Sequence, residues 1–201
     1  MPVEAIVFDL GNVLVSYREH EITAELCRLG KCDAAYVNSV INPLKDDLHS
    51  GKIDLNDVHK LLVRDHGFDK DLQAFRTAFC CGLKRDEKSV SYMHRLRSET
   101  KLPVGVISNI CDGHDAWVRK NLQEIEDFDV VIFSNEVGFF KPQAAIYELA
   151  ATSLQRSPKN MIFIDDLKEN VEGAAKLGWQ AIHHQSWDET YPIIQTAIKT
   201  R

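Results

Sequence analysis

Two apolar segments, far apart in the chain, each run directly into carboxylates. Residues 4–9 end at Asp9, and residues 161–166 end at Asp165 and Asp166. An apolar run that stops abruptly at Asp is typical of a buried parallel strand whose carboxyl end opens on a ligand crevice. If these strands are neighbours, three carboxylates meet there, and they cannot all stay ionised without a cation or a proton. A hard divalent cation with oxygen ligands, such as Mg²⁺, is the simplest answer.

Strand and helix signals alternate through most of the remaining chain. Strand patterns occur at 103–108, 130–133, 161–165 and 179–182. Helix patterns occur at 86–100, 112–122 and 188–199. Two more helices are expected, one that starts near Pro142 and another that ends at Gly178. Repeated βα units predict an α/β fold with a doubly wound, Rossmann-like parallel sheet.

Residues 16–85 break this alternation, because they carry helical periodicity without strand signals. The apolar positions are Ile22, Leu26 and Leu29, then Leu55, Val58, Leu61 and Leu62 between an N-cap at Asp54 and a terminator at Gly67, then Phe75, Ala78 and Phe79. We therefore expect a core domain of residues 1–15 and 86–201 and a helical cap domain of residues 16–85. Such an insertion would lie above the crevice, where it could close over substrate and exclude water.

Composition excludes several classes of protein. A net charge of -6 over 201 residues opposes a nucleic-acid partner, which needs a basic patch. The apolar stretches are too short for a membrane span and no leader pattern is seen, so a cytoplasmic location without a membrane partner is expected. Five cysteines without a CxxC pair favour free thiols, and the histidines, including His59, His66, His183 and His184, are expected to be solvated or capping residues rather than metal ligands.

Four short motifs resemble those of the haloacid dehalogenase-like hydrolases, in the family's order. They are residues 8–13 (FDLGNV), Ser108-Asn109, Lys141-Pro142 and Asp165-Asp166. The insertion after the first motif is placed as in the subgroup with a helical cap. The DLGNV, KPxxxIY and DDxxxNxxGA wording particularly resembles bacterial sugar-phosphate phosphatases of the α-D-glucose-1-phosphate phosphatase type and the phosphatase domain of soluble epoxide hydrolases.

The resemblance implies a role for each motif residue in a magnesium-dependent phosphatase. Asp9 would be the nucleophile that forms an aspartyl phosphate, with Lys141 as a second catalytic residue. Ser108, Asn109 and Lys141 would bind the phosphoryl oxygens. The metal ligands would be the side chains of Asp9, Asp165 and Asp166 and the backbone carbonyl of Gly11. The expected substrate is a small phosphorylated metabolite, and a sugar phosphate fits the resemblance best.

One position departs from the phosphatase pattern. Most relatives have a second Asp two residues after the nucleophile, where it acts as acid and base, but this chain has Gly11. Asp112, His114 or His49 could substitute, and no spacing selects among them.

Two alternatives and several details stay open at this level. A haloacid dehalogenase attacks carbon without a metal, although Gly11 and the Asp165-Asp166 pair argue against it, and a non-catalytic binding or regulatory member would follow if Gly11 has weakened turnover. Candidate cap contacts with substrate are His49, Lys52 and Arg18. The chain could be a monomer or a homodimer.

Overall fold

A computed structural model of the protein describes residues 2–199. In chain order its strands are β1 (Ala5–Phe8), β2 (Val15–Tyr17), β3 (Leu83–Arg85), β4 (Val104–Ser108), β5 (Val130–Phe133), β6 (Met161–Asp165) and β7 (Gln180–His183). Its helices are α1 (Glu19–Gly30), α2 (Ala34–Ile41), α3 (Lys45–His49), α4 (Leu55–His66), α5 (Leu72–Cys80), α6 (Glu87–Thr100), α7 (Asp112–Asn121), α8 (Ser134–Val137), α9 (Ala144–Leu154), α10 (Lys168–Lys176) and α11 (Trp187–Lys199).

Five strands form a parallel sheet in the order β5-β4-β1-β6-β7, which confirms the predicted α/β class. In this sheet Phe8 of β1 pairs with Ile164 of β6 on one side and with Val106 of β4 on the other. Asp9 and Asp165 each follow one of these paired residues, so the register brings both aspartates to the same height at the carboxyl edge. The Asp9 amide donates to the Ile164 carbonyl at 2.8 Å, which fixes that alignment.

Side chains of the central strand alternate between two buried layers, as the period of two in a strand requires. Ile6 and Phe8 face the cluster that includes residues of α6, α7 and α11, whereas Ala5 and Val7 face the cluster that includes α9 and α10. Helices cover both faces of the sheet, so every residue of β1 is buried. The site at the strand ends therefore rests on a rigid, fully packed support.

Residues 19–80 form a segment of five helices, which we call the helical segment, and supply all the buried residues of one hydrophobic cluster except Cys111. Asp54 caps α4 by accepting from the Asp57 amide at 2.9 Å, and Gly67 ends it with φ of 67°, as the sequence predicts. Gly51 touches the α/β part so closely that a Cβ there would lie 2.1 Å from the Asn135 carbonyl oxygen. The assignment of this segment as a separate cap domain stays a prediction.

The expectation that residues 16–85 contain no strand is wrong. β2 and β3 pair antiparallel at the two ends of this stretch, with Ser16 opposite Lys84. Each strand has three residues, too few to show alternation, and their partners are nearly seventy positions apart along the chain. This ribbon joins the helical segment to the sheet.

Two further expectations also need correction. Pro142 lies outside the helix that it was expected to open, because α9 begins at Ala144 after an extended Gln143. His59 and His184 are buried rather than solvated: His59 bonds to the Asp69 carbonyl and His184 to the Thr190 hydroxyl, each at 2.9 Å. Hydrogen bonds to these oxygens satisfy the rings, so burial needs no metal.

All five cysteines carry free thiols. Within residues 2–199, the helices are too short or too polar to cross a membrane.

Candidate active site

The structure brings together the three predicted carboxylates at the carboxyl edge of the sheet. One oxygen each from Asp9, Asp165 and Asp166 lies within 4.8 Å of the others. Asp9 and Asp165 are buried, with 7% and 0% of their surface exposed. Among residues 2–199, this is the only cluster of three or more acidic, histidine or cysteine side chains close enough to hold one metal ion.

Lys141 is the positive charge that partly balances this cluster. Its Nζ donates to Asp9 Oδ1 and to Asp165 Oδ2, both at 2.6 Å, and the residue is 3% exposed. Burial alone would lower the pKa of Lys141, but the two carboxylates outweigh burial and raise it. Lys141 is therefore a charged ammonium held between two aspartates.

The pKa of Asp9 is raised from 3.8 to about 7. Burial is the largest cause, Lys141 opposes it, and the charges of Asp165 and Asp166 add to it. In the metal-free protein, one ammonium does not compensate three neighbouring carboxylates. A second positive charge beside Asp9 would lower this pKa and favour the ionised form.

Asp165 and Asp166 are adjacent in sequence but have different surroundings. Asp165 Oδ1 accepts from the Leu167 amide at 2.8 Å and from Asn170 Nδ2 at 3.0 Å, while Oδ2 accepts from Lys141 and from the same Asn170 nitrogen at 3.1 Å. Asp166 accepts one side-chain hydrogen bond, from Asn12 Nδ2 to Oδ2 at 2.9 Å, and faces the cavity described below. Asp166 thus has acceptor capacity left for a metal ion, whereas Asp165 is occupied by protein donors.

The loop after β1 shapes the floor of the site. A Cβ on Gly11 would lie 3.7 Å from Asp9 Oδ2, so this oxygen, the one that Lys141 leaves free, faces residue 11. Asn12 has a φ of 53°, and it links the loop to the opposite motif by donating to Asp166 while its Oδ1 accepts from the Tyr17 amide at 3.0 Å. Sequence reasoning gave Asn12 no role, although Asn after Gly is a common choice for this backbone conformation.

The predicted phosphate ligands lie beside Lys141. Ser108 ends β4, is 4% exposed, and lines the cavity. The Asn109 side chain makes two hydrogen bonds to the backbone of Lys141: Oδ1 accepts from the Lys141 amide at 2.7 Å, and Nδ2 donates to the Lys141 carbonyl at 2.8 Å. One Nδ2 hydrogen is left for a substrate oxygen. Neither residue caps α7 with its side chain, since the residue before that helix is Cys111.

Three positioning residues lay outside the sequence assignment. Asn170 holds Asp165, and its own carbonyl accepts from the Tyr147 hydroxyl at 2.8 Å. The fully buried Ser134 hydroxyl accepts from the Ile110 amide at 2.9 Å and so fixes the loop after β4. The DDxxxNxxGA spacing could have indicated the role of Asn170, because it places the Asn170 side-chain amide about one helical turn beyond the two carboxylates.

The donor set fits Mg²⁺. Asp9, Asp166 and Gly11 line the same cavity, and their carboxylate and carbonyl oxygens are donors of the hard type that Mg²⁺ prefers. Three carboxylates and one ammonium leave an excess of two negative charges, which one divalent cation balances. The charges of Asp165 and Asp166 contribute to the raised pKa of Asp9, although burial is its largest cause.

A cavity of about 620 Å³ lies between this floor and the helical segment. His49 and His114 line it, whereas Asp112, Lys52 and Arg18 do not. The Asp112 carboxylate is occupied by the Leu55 amide at 2.9 Å and by Arg76 at 2.8 Å. Lys52 and Arg18 instead form ion pairs at the surface, Lys52 with Asp47 and Arg18 with Glu21.

The pKa values of the two cavity histidines are shifted in opposite directions. Burial, reinforced by the nearby charges of His114 and Lys141, lowers the pKa of His49 to about 4, so its ring is neutral at physiological pH. Burial also opposes the charged form of His114, but the interaction with the neighbouring Cys111 outweighs burial and raises the pKa of His114. His114 Nε2 donates to the Phe79 carbonyl at 2.8 Å, which commits one side of the ring. His49 is thus neutral, and its low pKa makes it a weak base.

Comparisons with known proteins identify the family of this chain. Residues 3–178 match the model of the haloacid dehalogenase-like hydrolase family. The sesquiterpene phosphatase astK of Aspergillus oryzae is 27% identical over 184 residues, which cover 90% of this chain and 89% of that protein. The bifunctional epoxide hydrolase 2 of Mus musculus is 30% identical over 71 residues, which cover 35% of this chain and 13% of that protein.

Solved structures show the same fold. The HAD family enzyme bt-2542 of Bacteroides thetaiotaomicron, in complex with magnesium and inorganic phosphate, aligns with a TM-score of 0.78 at 21% identity, covering 94% of this chain and 99% of that one. The parallel sheet, the carboxylates at its edge and the family match lead to one conclusion. This chain belongs to the haloacid dehalogenase-like hydrolase family.

Proposed function

We propose that this hydrolase is a magnesium-dependent phosphatase of small phosphorylated metabolites that acts through an aspartyl phosphate on Asp9. The observation that carries the proposal is the surroundings of Asp9: Lys141 holds one oxygen, the other faces the cavity floor, and two more carboxylates lie alongside. The phosphatase name of the Aspergillus relative supports the reaction class, as do the magnesium and phosphate bound to the Bacteroides enzyme.

The chain's own residues supply most of the chemistry. Asp9 Oδ2 attacks phosphorus, the ester P–O bond breaks, and the leaving alkoxide takes a proton from water. Lys141 has a third N–H for a phosphoryl oxygen, and the Ser108 hydroxyl and the free Asn109 hydrogen would donate to the others. Magnesium, held by Asp9, Asp166 and the Gly11 carbonyl, would cancel the repulsion between Asp9 and the phosphate.

The second half-reaction returns Asp9 to its starting state. Water attacks the phosphorus of the aspartyl phosphate, inorganic phosphate leaves, and the proton of the water passes to a base. His49 is our candidate for that base because its neutral ring lines the cavity; its low pKa makes it a weak base, so this step should be slow. Asp165 would act by positioning Lys141 rather than as a direct metal ligand, since its oxygens already accept from protein donors.

Two assignments from the sequence remain proposals here. Residues 16–85 would act as a cap, which the cavity between the helical segment and the carboxylates supports. The preference for sugar phosphates rests on the resemblance alone.

The decisive experiment measures phosphate release from phenyl phosphate with Mg²⁺ and with EDTA. Asp9→Asn should abolish release while the fold stays intact, because the amide keeps the shape and loses the nucleophile. Asp127→Asn, at an exposed position, is the matched control. Wild-type release by a folded Asp9→Asn protein would refute the aspartyl phosphate. Release that is independent of Mg²⁺ would refute the metal requirement, whereas no release from any phosphate ester would favour a dehalogenase or a non-catalytic member instead.

A further inference from the structure

The walls of the cavity have a different character from its floor. Six buried apolar side chains of the helical segment line it, each with at most 8% of its surface exposed: Ile22, Leu26, Val37, Ile41, Leu48 and Phe79. A phosphate at Asp9 would therefore contact the polar floor, whereas the organic group of the ester would contact apolar side chains.

Polar residues on the helical side of the cavity lie mainly at its rim. Asn38, Asn42 and Asp46 are exposed. Glu19 and Lys45 bond to each other at 2.9 Å with about half of each side chain exposed. A buried sugar would need several donors and acceptors converging on its hydroxyls, since each unpaired one costs binding energy. Within the described part of the helical segment, the half-buried Thr23 and His49 are the main groups placed to offer them.

We infer that the substrate of this site is a phosphate monoester whose organic part is an apolar chain rather than a sugar. The inference rests on the proposed phosphatase activity and names its substrate class. The cavity is continuous from Asp9 to Leu26, so one molecule can place its phosphate on the floor and its chain along the wall. An apolar cavity favours an apolar occupant, because burial removes hydrocarbon from water and leaves no polar group unpaired.

The size of the cavity sets the length of the chain. Its volume of about 620 Å³ holds on the order of twenty groups of the size of a water molecule. After the phosphate is placed, room remains for a chain of roughly ten to fifteen carbons. Each buried methylene should raise kcat/KM about threefold to fourfold until the cavity is filled.

The test is a series of n-alkyl monophosphates from ethyl to dodecyl, assayed with Mg²⁺ beside glucose 1-phosphate, glycerol 3-phosphate and phenyl phosphate. We expect kcat/KM to rise with chain length and then level off, with the sugar phosphate well below decyl phosphate. A flat series, or a preference for glucose 1-phosphate, would overturn the apolar chain while phenyl phosphate hydrolysis still upheld the phosphatase. If none of these esters releases phosphate, the proposed function itself fails.

A pair of variants ties the preference to this cavity. Thr23→Phe adds a ring to the cavity wall, whereas Thr77→Phe adds the same ring on an exposed face of α5. The ratio of decyl to ethyl phosphate kcat/KM should fall by at least about tenfold in Thr23→Phe, since the ring takes the space of two or more methylenes. The Thr77→Phe protein should keep the wild-type ratio. An unchanged ratio in a folded Thr23→Phe protein would show that the chain binds elsewhere.

Val37→Thr keeps the shape of the wall and adds a hydroxyl, so it serves if the larger ring prevents folding. It should flatten the dependence on chain length, because the long chain then buries an unpaired hydroxyl. A slope equal to that of the wild type would contradict the inference.

Discussion

The buried carboxylate of Asp9 should make the metal-free protein less stable as pH rises. Its pKa is about 7 in the folded protein against 3.8 for the free group. Because the folded-state value is raised, the folded state holds a proton that the unfolded chain has released. The resulting stabilisation is complete below about pH 4 and is lost as pH rises through 7. At about 1.4 kcal/mol for each tenfold change, the difference corresponds to about 4 kcal/mol between pH 4 and pH 8.

Asp9→Asn isolates this contribution from those of other titrating groups. The amide cannot ionise and can still accept from Lys141 Nζ through its oxygen. The free energy of unfolding of the variant minus that of the wild type should therefore increase with pH, by about 4 kcal/mol over this range. Unrelated groups cancel in the difference.

Urea unfolding in EDTA, followed by tryptophan fluorescence, measures these free energies at each pH. Exposed Asp127→Asn is the control and should follow the wild type. Saturating Mg²⁺ should restore the wild type at pH 8, by about 2.7 kcal/mol when the metal is at 100 times its Kd, and should leave Asp9→Asn nearly unchanged. A difference between variant and wild type that stays constant from pH 5 to pH 8 would refute this account of the site.

Three further predictions test other parts of the site. Asp166→Asn should lower the Mg²⁺ affinity measured by calorimetric titration by tenfold or more with little loss of stability, and equal affinities in wild type and variant would remove Asp166 from the site. Asp165→Asn should instead destabilise the fold by about 1–3 kcal/mol, because donors that now bond to Asp165 lose an acceptor. With an activated aryl phosphate, the wild type should show a burst of about one product per site. Gly11→Asp should weaken this burst by supplying an acid and base, and its Cβ has room 3.7 Å from Asp9 Oδ2. A wild type without a burst would show that another residue already acts as the acid and base. The pKa of His49 is lowered to about 4, so the folded protein favours the neutral ring and loses stability as pH falls from 6.5 toward 4. In urea unfolding, His49→Gln should remove about 3 kcal/mol of this acid-induced loss. A free energy of unfolding that depends on pH as in the wild type would contradict the burial argument.

Local chemistry was sufficient to predict the elements that carry the site. The runs before Asp9 and Asp165 are buried strands because apolar residues of this density must leave water on both faces of a parallel sheet. Asp54 and Gly67 bound α4 because a cap and a left-handed terminator act over one turn. Parallel strands end at the same edge, but the three carboxylates meet only because β1 and β6 are neighbours in the sheet, which the sequence left as a condition.

Tertiary structure decided how each of these groups is used. Asp165 and Asp166 are neighbours in sequence, but successive side chains at a strand end point in opposite directions, so one is enclosed with Lys141 and the other faces the cavity. Asp112 could have been a catalytic base by composition, yet the packing of α5 against α7 pairs it with Arg76. Such choices depend on partners distant in sequence, which spacing cannot reveal.

The cavity is the clearest case of information held only by the fold. Ile22 and Leu26 read as one apolar face of a helix, and a helix face of this kind usually fills a core. In the folded chain, part of that face borders an open volume above Asp9. Periodicity determines which side chains leave water, but the arrangement of α1, α2 and the sheet decides whether those side chains meet each other or a ligand.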